Sequence, residues 1–528
     1  MDGTTHDAVI LGGGLAGLCL ALQLRDACPE LDVVVLERRA HPVPAAAHKV
    51  GESTVEIGAH YLAETLGLRD HLEQAHLRKF GFRFFFSHGR ADLDAVTELG
   101  VREVLPTPSY QIDRGIFENL LGEEARRRGI AFRDGVAVRA IEPGRGDAPH
   151  RVHCADAPTV QARWLLDASG RAGLLRRQLG LTRDNGHHAH AAWFRLDDRI
   201  TIDQWCDDAA WQGRCTPRER WRSTNHLCGP GYWCWLIPLA SGAHSVGIVV
   251  DAAMHPVESI NRFPHALAWL DRHQPALARE VAARQDRLLD FAFFRDYSYG
   301  CAQMFSADRW ALTGEAGAFL DPFYSPGTDF IAIANTYITE LVRRDRAGEP
   351  LAPRVRLYER LFQSFYESTL ALYRGQYPLL GDAEVLPIKV VWDYAYYWGV
   401  LCQLVFQRRL ADAALFAELG PELEGTRALN VRMQAFFGRW HACSPGHNPP
   451  TMLDQRELPW FAAMNATLHD TLDDAGVRAR LRGNVALLRS LAATIVERAA
   501  DAAGDALRDG MEDLVADAGA RPELFAAA

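Results

Sequence analysis

The run Asp7 to Glu37 constrains this 528-residue chain more than any other stretch. DAVILGG is a short apolar run bounded by glycine, the pattern of a buried parallel strand. Gly12, Gly14 and Gly17 then complete G-x-G-x-x-G, and the apolar helix LAGLCLALQL follows. A second apolar run, LDVVVLE, ends in Glu37, 20 residues beyond Gly17. Strand, glycine turn, helix, strand and acid in this order predict a βαβ dinucleotide site. The glycines allow a tight turn and close approach of a pyrophosphate to the helix N-terminus. The acid is placed for ribose hydroxyls.

Two later segments decide which dinucleotide. WLLDASG (Trp164 to Gly170) is an apolar strand ending in Asp-x-x-Gly. RWALTGEAGAFLDP (Arg309 to Pro322) is another strand running into a glycine-rich turn. Both resemble the later fingerprints of the glutathione-reductase-type FAD proteins, in their aromatic hydroxylase branch. Where that family carries Gly-Asp at the ribitol, this chain has Gly314 and Glu315. QIDRGIFENLL (Gln111 to Leu121) resembles the family helix that sets an arginine near the flavin, here Arg114; the alternative is a surface helix charge. No second G-x-G-x-x-G offers a site for NAD(P)H, so a separate flavin reductase is the expected partner.

Three further stretches narrow the resemblance. Trp233, Trp235, Ile237 and Pro238 form W-x-W-x-I-P. Phe319, Pro322, Ser325 and Gly327 form F-x-x-P-x-x-S-x-G. VGEST follows Lys49. With the glycine turn these resemble the flavin-dependent halogenases over residues 1 to about 345, closer to the phenol and pyrrole members. The resemblance implies an α/β fold of the glutathione-reductase/aromatic-hydroxylase FAD type, with an inserted mixed-sheet substrate region. It implies reduced FAD as cofactor, and O2 and chloride or bromide as co-substrates. The expected FAD contacts are Gly12, Gly14, Leu15, Ala16, Gly17, Glu37, Arg38, Ser53, Arg114, Asp167, Gly170, Gly314, Glu315 and Gly327. The expected halide site is Gly327 and Thr328, at the start of the helix TDFIAIANTYITELV. Pro326 lacks an N–H and removes one donor from that turn. Trp233 and Trp235 are expected to separate flavin from substrate, although W-x-W on one strand face is also an ordinary way to fill a core.

Only three of the 57 basic side chains are lysine: Lys49, Lys79 and Lys389. In RKFGFRFFF a period of two places Phe80, Phe82, Phe84 and Phe86 on one face, and Lys79, Gly81, Arg83 and Phe85 on the other. Read alone, that is a half-buried strand with a solvated charged face. The halogenases, however, carry Lys-x-Gly-x-x-Phe here, matched by Lys79, Gly81 and Phe84. The resemblance implies that Lys79 is the catalytic residue. It relays hypohalous acid to an aromatic ring, by hydrogen bonding or as a haloamine. A haloamine needs a nitrogen lone pair, which guanidinium does not offer. Lys49 is the competing candidate, and Lys389 is expected to be structural. Tryptophan halogenases carry a glutamate where this chain has Tyr324. That departure favours a phenolic or pyrrolic substrate, free or held on an acyl carrier protein. A flavin hydroxylase without halide chemistry is the alternative enzyme. A non-catalytic flavoprotein is the alternative outside enzymology.

Beyond about Arg346 the composition shifts to Ala, Leu and Arg. The expected division is therefore 1–345 as FAD core and 346–528 as a helical region covering the substrate. GNVALLRSLAATIVERAADA carries a helical apolar stripe. WDYAYYWGVLCQLVF reads as a buried helix, either plain core or a roof in which Trp392, Tyr394, Tyr396, Tyr397 and Trp398 face substrate. A net charge of −10 without a basic run excludes a nucleic-acid partner. No run approaches the roughly 20 apolar residues of a membrane span. The first residues lack the basic start of a signal peptide. Ten scattered cysteines without zinc spacing fit reduced thiols and a cytoplasmic monomer or homodimer. No metal site is expected, and His187, His188 and His190 read as an exposed loop.

Overall fold

A computed structural model describes residues 4–45, 50–516 and 521–525. The chain divides into two compact units, each made of three separate segments. One comprises residues up to His76, Ile112–Gly186 and Ser298–Tyr366. The other comprises Leu77–Gln111, His187–Tyr297 and the chain from Glu367. The division thus differs from the single boundary near 345 read from composition. Strand pairing, not sequence order, sets it.

The first unit is built on a seven-stranded sheet. Ala131–Arg133, Val33–Leu36, Thr4–Leu11 and Val160–Asp167 lie side by side, all parallel. Val160–Asp167 pairs on its other side with His150–Cys154, antiparallel, and then with Trp310–Leu312, parallel. Ala8 to Leu11 and Val33 to Leu36 are fully buried, as continuous apolar strands covered on both faces must be. The helices Leu15–Ala27, Arg114–Arg127 and Gly327–Arg346 pack on this framework, with Leu15–Ala27 touching both of the others. The ends of three parallel strands, Leu11, Asp167 and Leu312, therefore converge where the glycine turns begin.

The second unit holds an eight-stranded sheet. Its centre is the antiparallel set Ala189–Leu196, His244–Asp251, Tyr232–Pro238 and Thr224–Gly229. Phe82–Phe85 joins parallel to Thr224–Gly229, then Glu98–Gly100 and Met452–Asp454 extend the sheet. One face packs Phe85, Leu227, Cys234, Leu236 and Val246 against Trp269, Leu270 and Leu277 of the helices Phe263–His273 and Pro275–Ala282. The alternate residues, among them Trp233 and Trp235, go to the opposite face. The same unit contains the expected helices Val385–Tyr396 and Asp474–Ala503. Among the described residues no helix is long and apolar enough to cross a membrane.

His187 and His190 are not in an exposed loop. Both are buried, at 4% and 7% exposure, where the strand Ala189–Leu196 begins. His190 Nδ1 accepts from Asp296 N at 3.1 Å and His188 Nδ1 lies 3.0 Å from Asp296 Oδ1. His187 lies against the rings of Tyr373 and Tyr377, at 6.2 and 5.4 Å, which local composition does not reveal.

Candidate functional site

In the first unit the turn Gly12 to Gly17 links the strand Thr4–Leu11 to the helix Leu15–Ala27. A Cβ on Gly12 would stand 2.3 Å from Ala168 O, and one on Gly17 would stand 2.0 Å from Gly12 O. Packing alone demands glycine there. Gly14 differs: a Cβ would meet nothing closer than Glu118 Oε1, at 4.0 Å. Gly14 caps the helix without any side-chain bond, and the first turn holds no acid. Open space in front of bare helix N–H groups is what an incoming pyrophosphate requires. Leu15 is buried behind the turn, and Ala16 fills the gap beside Gly314, whose own Cβ would come within 2.9 Å of it.

Glu37 ends the second strand. Its Oε2 accepts from Gly13 N at 2.6 Å and its Oε1 from Arg39 N at 2.8 Å. The carboxylate is thereby held at the strand tip beside the glycine turn, where ribose hydroxyls can reach it. Arg38 beside it is exposed, and Ser53 is buried. Arg114 is no loose surface charge. Its Nη1 donates to Val50 O at 2.7 Å and its Nη2 to buried Glu118 Oε1 at 2.8 Å, so it ties the loop before Ser53 to the helix Arg114–Arg127. Lys49 lies outside the described residues.

Asp167 is spent within the protein. Its Oδ1 accepts from Ser169 N at 2.9 Å and its Oδ2 from Leu175 N at 2.7 Å. Burial pushes its carboxyl above the usual range, against these hydrogen bonds and Arg176. It shapes the turn that carries Gly170, which sits at φ +61. Glu315 stands in a single turn, Gly314–Ala316, with Oε2 3.8 Å from Arg171 Nη1. Gly327 and Thr328 open the 20-residue helix Gly327–Arg346, with Pro326 as its cap residue. A Cβ on Gly327 would meet nothing within 4 Å, whereas Thr328 is buried against Gly58. Asp329 occupies the same first turn and accepts from Gly58 N at 2.8 Å. An anion at Gly327 therefore shares the helix terminus with a carboxylate.

In the second unit Lys79 is not on the strand its sequence pattern predicts. The strand runs Phe82–Phe85, and Lys79 lies in the short link between it and the strand Leu77–Arg78, where Gly81 at φ +75 interrupts the period of two. Lys79 is buried at 3% exposure. Its N donates to Ser109 O at 2.8 Å, and its Nζ lies 3.3 Å from the centre of the Phe82 ring. Arg83, expected on a solvated face, is fully buried. It pairs with Glu98 and donates from Nη2 to Val101 O at 2.6 Å. Arg220 Nε donates to the same Glu98 at 2.9 Å, and its guanidinium lies 3.9 Å from the Trp211 ring centre. A two-arginine clamp on one carboxylate thus fixes the strand that follows Lys79.

The rings near Lys79 form a continuous wall. Phe82 meets His226 edge-on at 5.2 Å, His226 stacks on Phe84 at 4.7 Å, and Trp233 lies 5.2 Å beyond. Trp233 and Trp235 are 5.6 Å apart on one face, both buried. Trp233 Nε1 donates to Tyr377 Oη and Trp235 Nε1 to Ser245 Oγ, each at 3.1 Å. Trp235 lies flat on Gly247, whose Cβ would come within 2.2 Å of the ring.

The aromatic helix divides by face. Tyr394 reaches to 6.1 Å from Phe82, and Trp398 lies 4.9 Å from Tyr394 and 4.6 Å from Phe461. Trp392 turns away to Asn430 and Tyr396 to Ser368, so these two belong to the helical core. Lys389 is structural as expected: buried, it donates to Leu372 O at 3.0 Å and to Asp393 Oδ2 at 2.6 Å. His226 and Phe461 were not legible as neighbours of Lys79, because neither lies in a motif and both arrive from distant segments.

Comparison with known proteins adds the class. Residues 5–247 match the family model described as an FAD binding domain. A flavin-dependent halogenase of Dictyostelium discoideum is 25% identical over 431 residues, covering 75% of this chain and 70% of that protein. A 1H-pyrrole-2-carbonyl-[peptidyl-carrier protein] chlorinase of Pseudomonas fluorescens is 25% identical over 355 residues, 62% of this chain and 73% of that one.

The chain is similar in sequence to flavin-dependent halogenases.

The crystal structure of the halogenase PltM in complex with phloroglucinol and FAD superposes with a TM-score of 0.63 at 18% identity, over 92% of this chain and 96% of that one. The fold is thus the FAD-binding halogenase fold, mixed α/β. The glycine cradle of the first unit fits, on its geometry, the dinucleotide that an FAD binding domain takes.

Proposed function

We propose that this protein is a two-component halogenase acting on an electron-rich aromatic, phenolic or pyrrolic, with Lys79 as the relay. The observation that carries the reading is the environment of Lys79: one of three lysines in the chain, buried, with its nitrogen on the face of Phe82 inside an aromatic wall. Relatives named as halogenases, one of them for a carrier-bound pyrrole, support the class and allow a carrier-held substrate.

Bound in its reduced form, FAD supplies the activation of O2 by which halide becomes hypohalous acid. The chain's own residues do the rest. The Gly14 loop would hold the pyrophosphate of the dinucleotide and Glu37 the adjacent ribose, and Gly327 with Thr328 would offer backbone N–H to halide. At Lys79 two routes balance. The ammonium can hydrogen-bond the hypohalous oxygen and pass it a proton, so that water leaves as the ring takes the halogen, and the proton the ring loses returns to the amine. Alternatively the neutral amine attacks the halogen, forming N–X and releasing water, and the ring then takes the halogen while the amine recovers a proton. The face of Phe82 attracts an ammonium, which supports the first route. A phenol or pyrrole needs no further base to be attacked, consistent with Tyr324 in place of a carboxylate. A separate NAD(P)H flavin reductase supplies the reduced cofactor.

The test is a product mass spectrum with FAD, a flavin reductase, NADH, bromide and a panel of phenols, pyrroles and their carrier-loaded forms. Brominated product from the native protein, and none from Lys79→Ala that still binds FAD, is the expected result. Bromination retained by Lys79→Ala refutes the relay, and oxygenation independent of bromide refutes the halogenase reading.

A further inference from the structure

The first unit holds a cavity of about 260 Å³ that no step of the proposed reaction uses. It lies beside the start of the strand Thr4–Leu11, whereas the glycine turn follows that strand's end. Four residues of extended chain, about 13 Å, separate Asp7 in its wall from Leu11. Sites for drug-sized ligands run to roughly 300–1,000 Å³, so a ligand here is small. Two sets of charged groups line the cavity, the arginines Arg163 and Arg309 and the carboxylates Asp7, Asp32 and Asp147. Strand register brings the sets together. His6 pairs with Ala162 and Ala8 with Trp164, so Asp7 and Arg163 stand level on neighbouring strands and project to the same face.

Both guanidiniums are held from behind. Arg163 donates from Nε and Nη2 to the two oxygens of buried Asp345, at 2.7 and 2.8 Å, and Arg309 Nε donates to the same carboxylate at 3.0 Å. Arg309 sits at φ +61, a conformation that non-glycine residues rarely take. Two donors fix its carbonyl there, Leu165 N and His150 Nε2, each at 3.0 Å. His150 Nδ1 accepts from Gly144 N at 2.9 Å, so the ring proton is on Nε2. Arg309 Nη1 donates to Gly146 O. One corner of each guanidinium is left over, Arg163 Nη1 and Arg309 Nη2. They converge on a single oxygen, Asp147 Oδ1, at 3.9 and 3.2 Å. Asp147 is 90% exposed, on the link between the strands Val138–Glu142 and His150–Cys154. A side chain of an exposed loop thus marks where an anionic oxygen sits in the fork.

The carboxylates beside the fork are only half engaged. Asp7 Oδ2 accepts from Asp32 N at 3.0 Å and faces Arg346 Nη1 at 3.4 Å. Asp32 Oδ2 lies 2.9 Å from His6 Nδ1. Arg133 Nη2, which can only donate, lies 3.3 Å from His6 Nε2, so His6 carries its proton on Nδ1 and gives it to Asp32. These contacts fall on Oδ2 of each aspartate and leave Oδ1 of each as a further acceptor in the cavity wall. Among the described residues no group of carboxylates and histidines is set to hold a metal ion, so the partner that suits these acceptors is an ammonium. We infer that the cavity binds a small α-amino acid. Its carboxylate takes the place of Asp147 on Arg163 Nη1 and Arg309 Nη2, and its ammonium lies on Asp7 and Asp32. Asp147 is then a built-in competitor that fills the fork when the ligand is away.

The experiment is calorimetric titration of the FAD-loaded full chain with L-alanine. Two half-ligands accompany it: L-alaninamide keeps the ammonium without the carboxylate, and propionate keeps the carboxylate without the ammonium. A charge-assisted hydrogen bond contributes about tenfold or more, so L-alanine binds at least about tenfold more tightly than either. Arg163→Gln weakens L-alanine about tenfold and leaves L-alaninamide unchanged. Asp7→Asn weakens L-alanine and L-alaninamide and leaves propionate unchanged. Asp147→Asn acts the other way. It removes the competing charge, so L-alanine and propionate bind about two- to fivefold more tightly. Asp147 is an exposed loop side chain, so this variant tests the fork without disturbing the sheet. No binding of L-alanine, equal binding of all three probes, or an Asp147→Asn protein that holds L-alanine no more tightly than the native one overturns the inference.

Discussion

Gly14 and Gly17 sit three residues apart in one loop, yet alanine should act at each by a different mechanism. At Gly17 the new methyl would lie 2.0 Å from Gly12 O, where ordinary contact begins at 3.4 Å. The helix must retreat by about 1.4 Å, and backbone rather than a flexible side chain stands in the way. Overpacking of this kind costs typically 1–3 kcal/mol, so Gly17→Ala should lower the thermal midpoint even without FAD. At Gly14 the backbone is in an ordinary extended region, φ −86 and ψ −170, and the nearest atom is 4.0 Å away. Gly14→Ala should leave the apo midpoint unchanged within a degree. Its methyl would instead fill the space in front of the helix N–H groups. Losing one or two charge-assisted bonds to phosphate, at about 1.5–3 kcal/mol each, should weaken FAD by roughly tenfold to ten-thousandfold. Thermal melts of the apoprotein and FAD titration by fluorescence separate the two. Unchanged FAD affinity in Gly14→Ala would refute the cradle, since the only purpose of that open space is then gone.

Glu98 carries two buried arginines, so Glu98→Met should cost about 3–5 kcal/mol and shift the urea midpoint sharply, with Arg83 losing its carboxylate and Arg220 left with Asp203 alone. Gly247→Ala should push Trp235 off its strand, seen as altered near-ultraviolet circular dichroism and reduced halogenation per FAD oxidised. His244 is fully buried, its Nδ1 accepting from Ile200 N at 3.2 Å. Burial, with Arg199 and Arg284 nearby, holds its pKa down at about 3 against 6.5. The unfolded chain takes up that proton first, so stability should fall as pH drops from 6.5 toward 3. His244→Asn should flatten that slope in urea melts; an unchanged slope would assign the acid sensitivity elsewhere.

The dinucleotide framework was readable because its signals are local. Glycines at fixed offsets, apolar runs and an acid at a strand tip lie within 37 residues of one another, and backbone geometry forces their meaning. The W-x-W face was readable for the same reason. Lys79 was legible as a candidate but not in its placement, since period-two counting ran through Gly81, where the chain turns. Arg83 was assigned to solvent because Glu98 and Arg220 arrive from elsewhere; a charge looks exposed in sequence until its partner is known. The same holds for His190, whose partner Asp296 lies 106 residues away.

The order in which the strands pair bears on how the protein is made. Met452–Asp454 is the neighbour of Glu98–Gly100 in the second sheet, so that sheet gains its last strand only after some 350 further residues have been synthesised. The first unit likewise waits for Trp310–Leu312. During translation the strand Glu98–Gly100 and the aromatic wall must therefore persist without their final partners, and long-range pairing of this kind is slow and exposed to aggregation. Truncations that remove the helical end should then fail as insoluble protein, not as a smaller working enzyme. Yield in a heterologous host should rise with slower synthesis and added chaperone before it responds to any change at the active site.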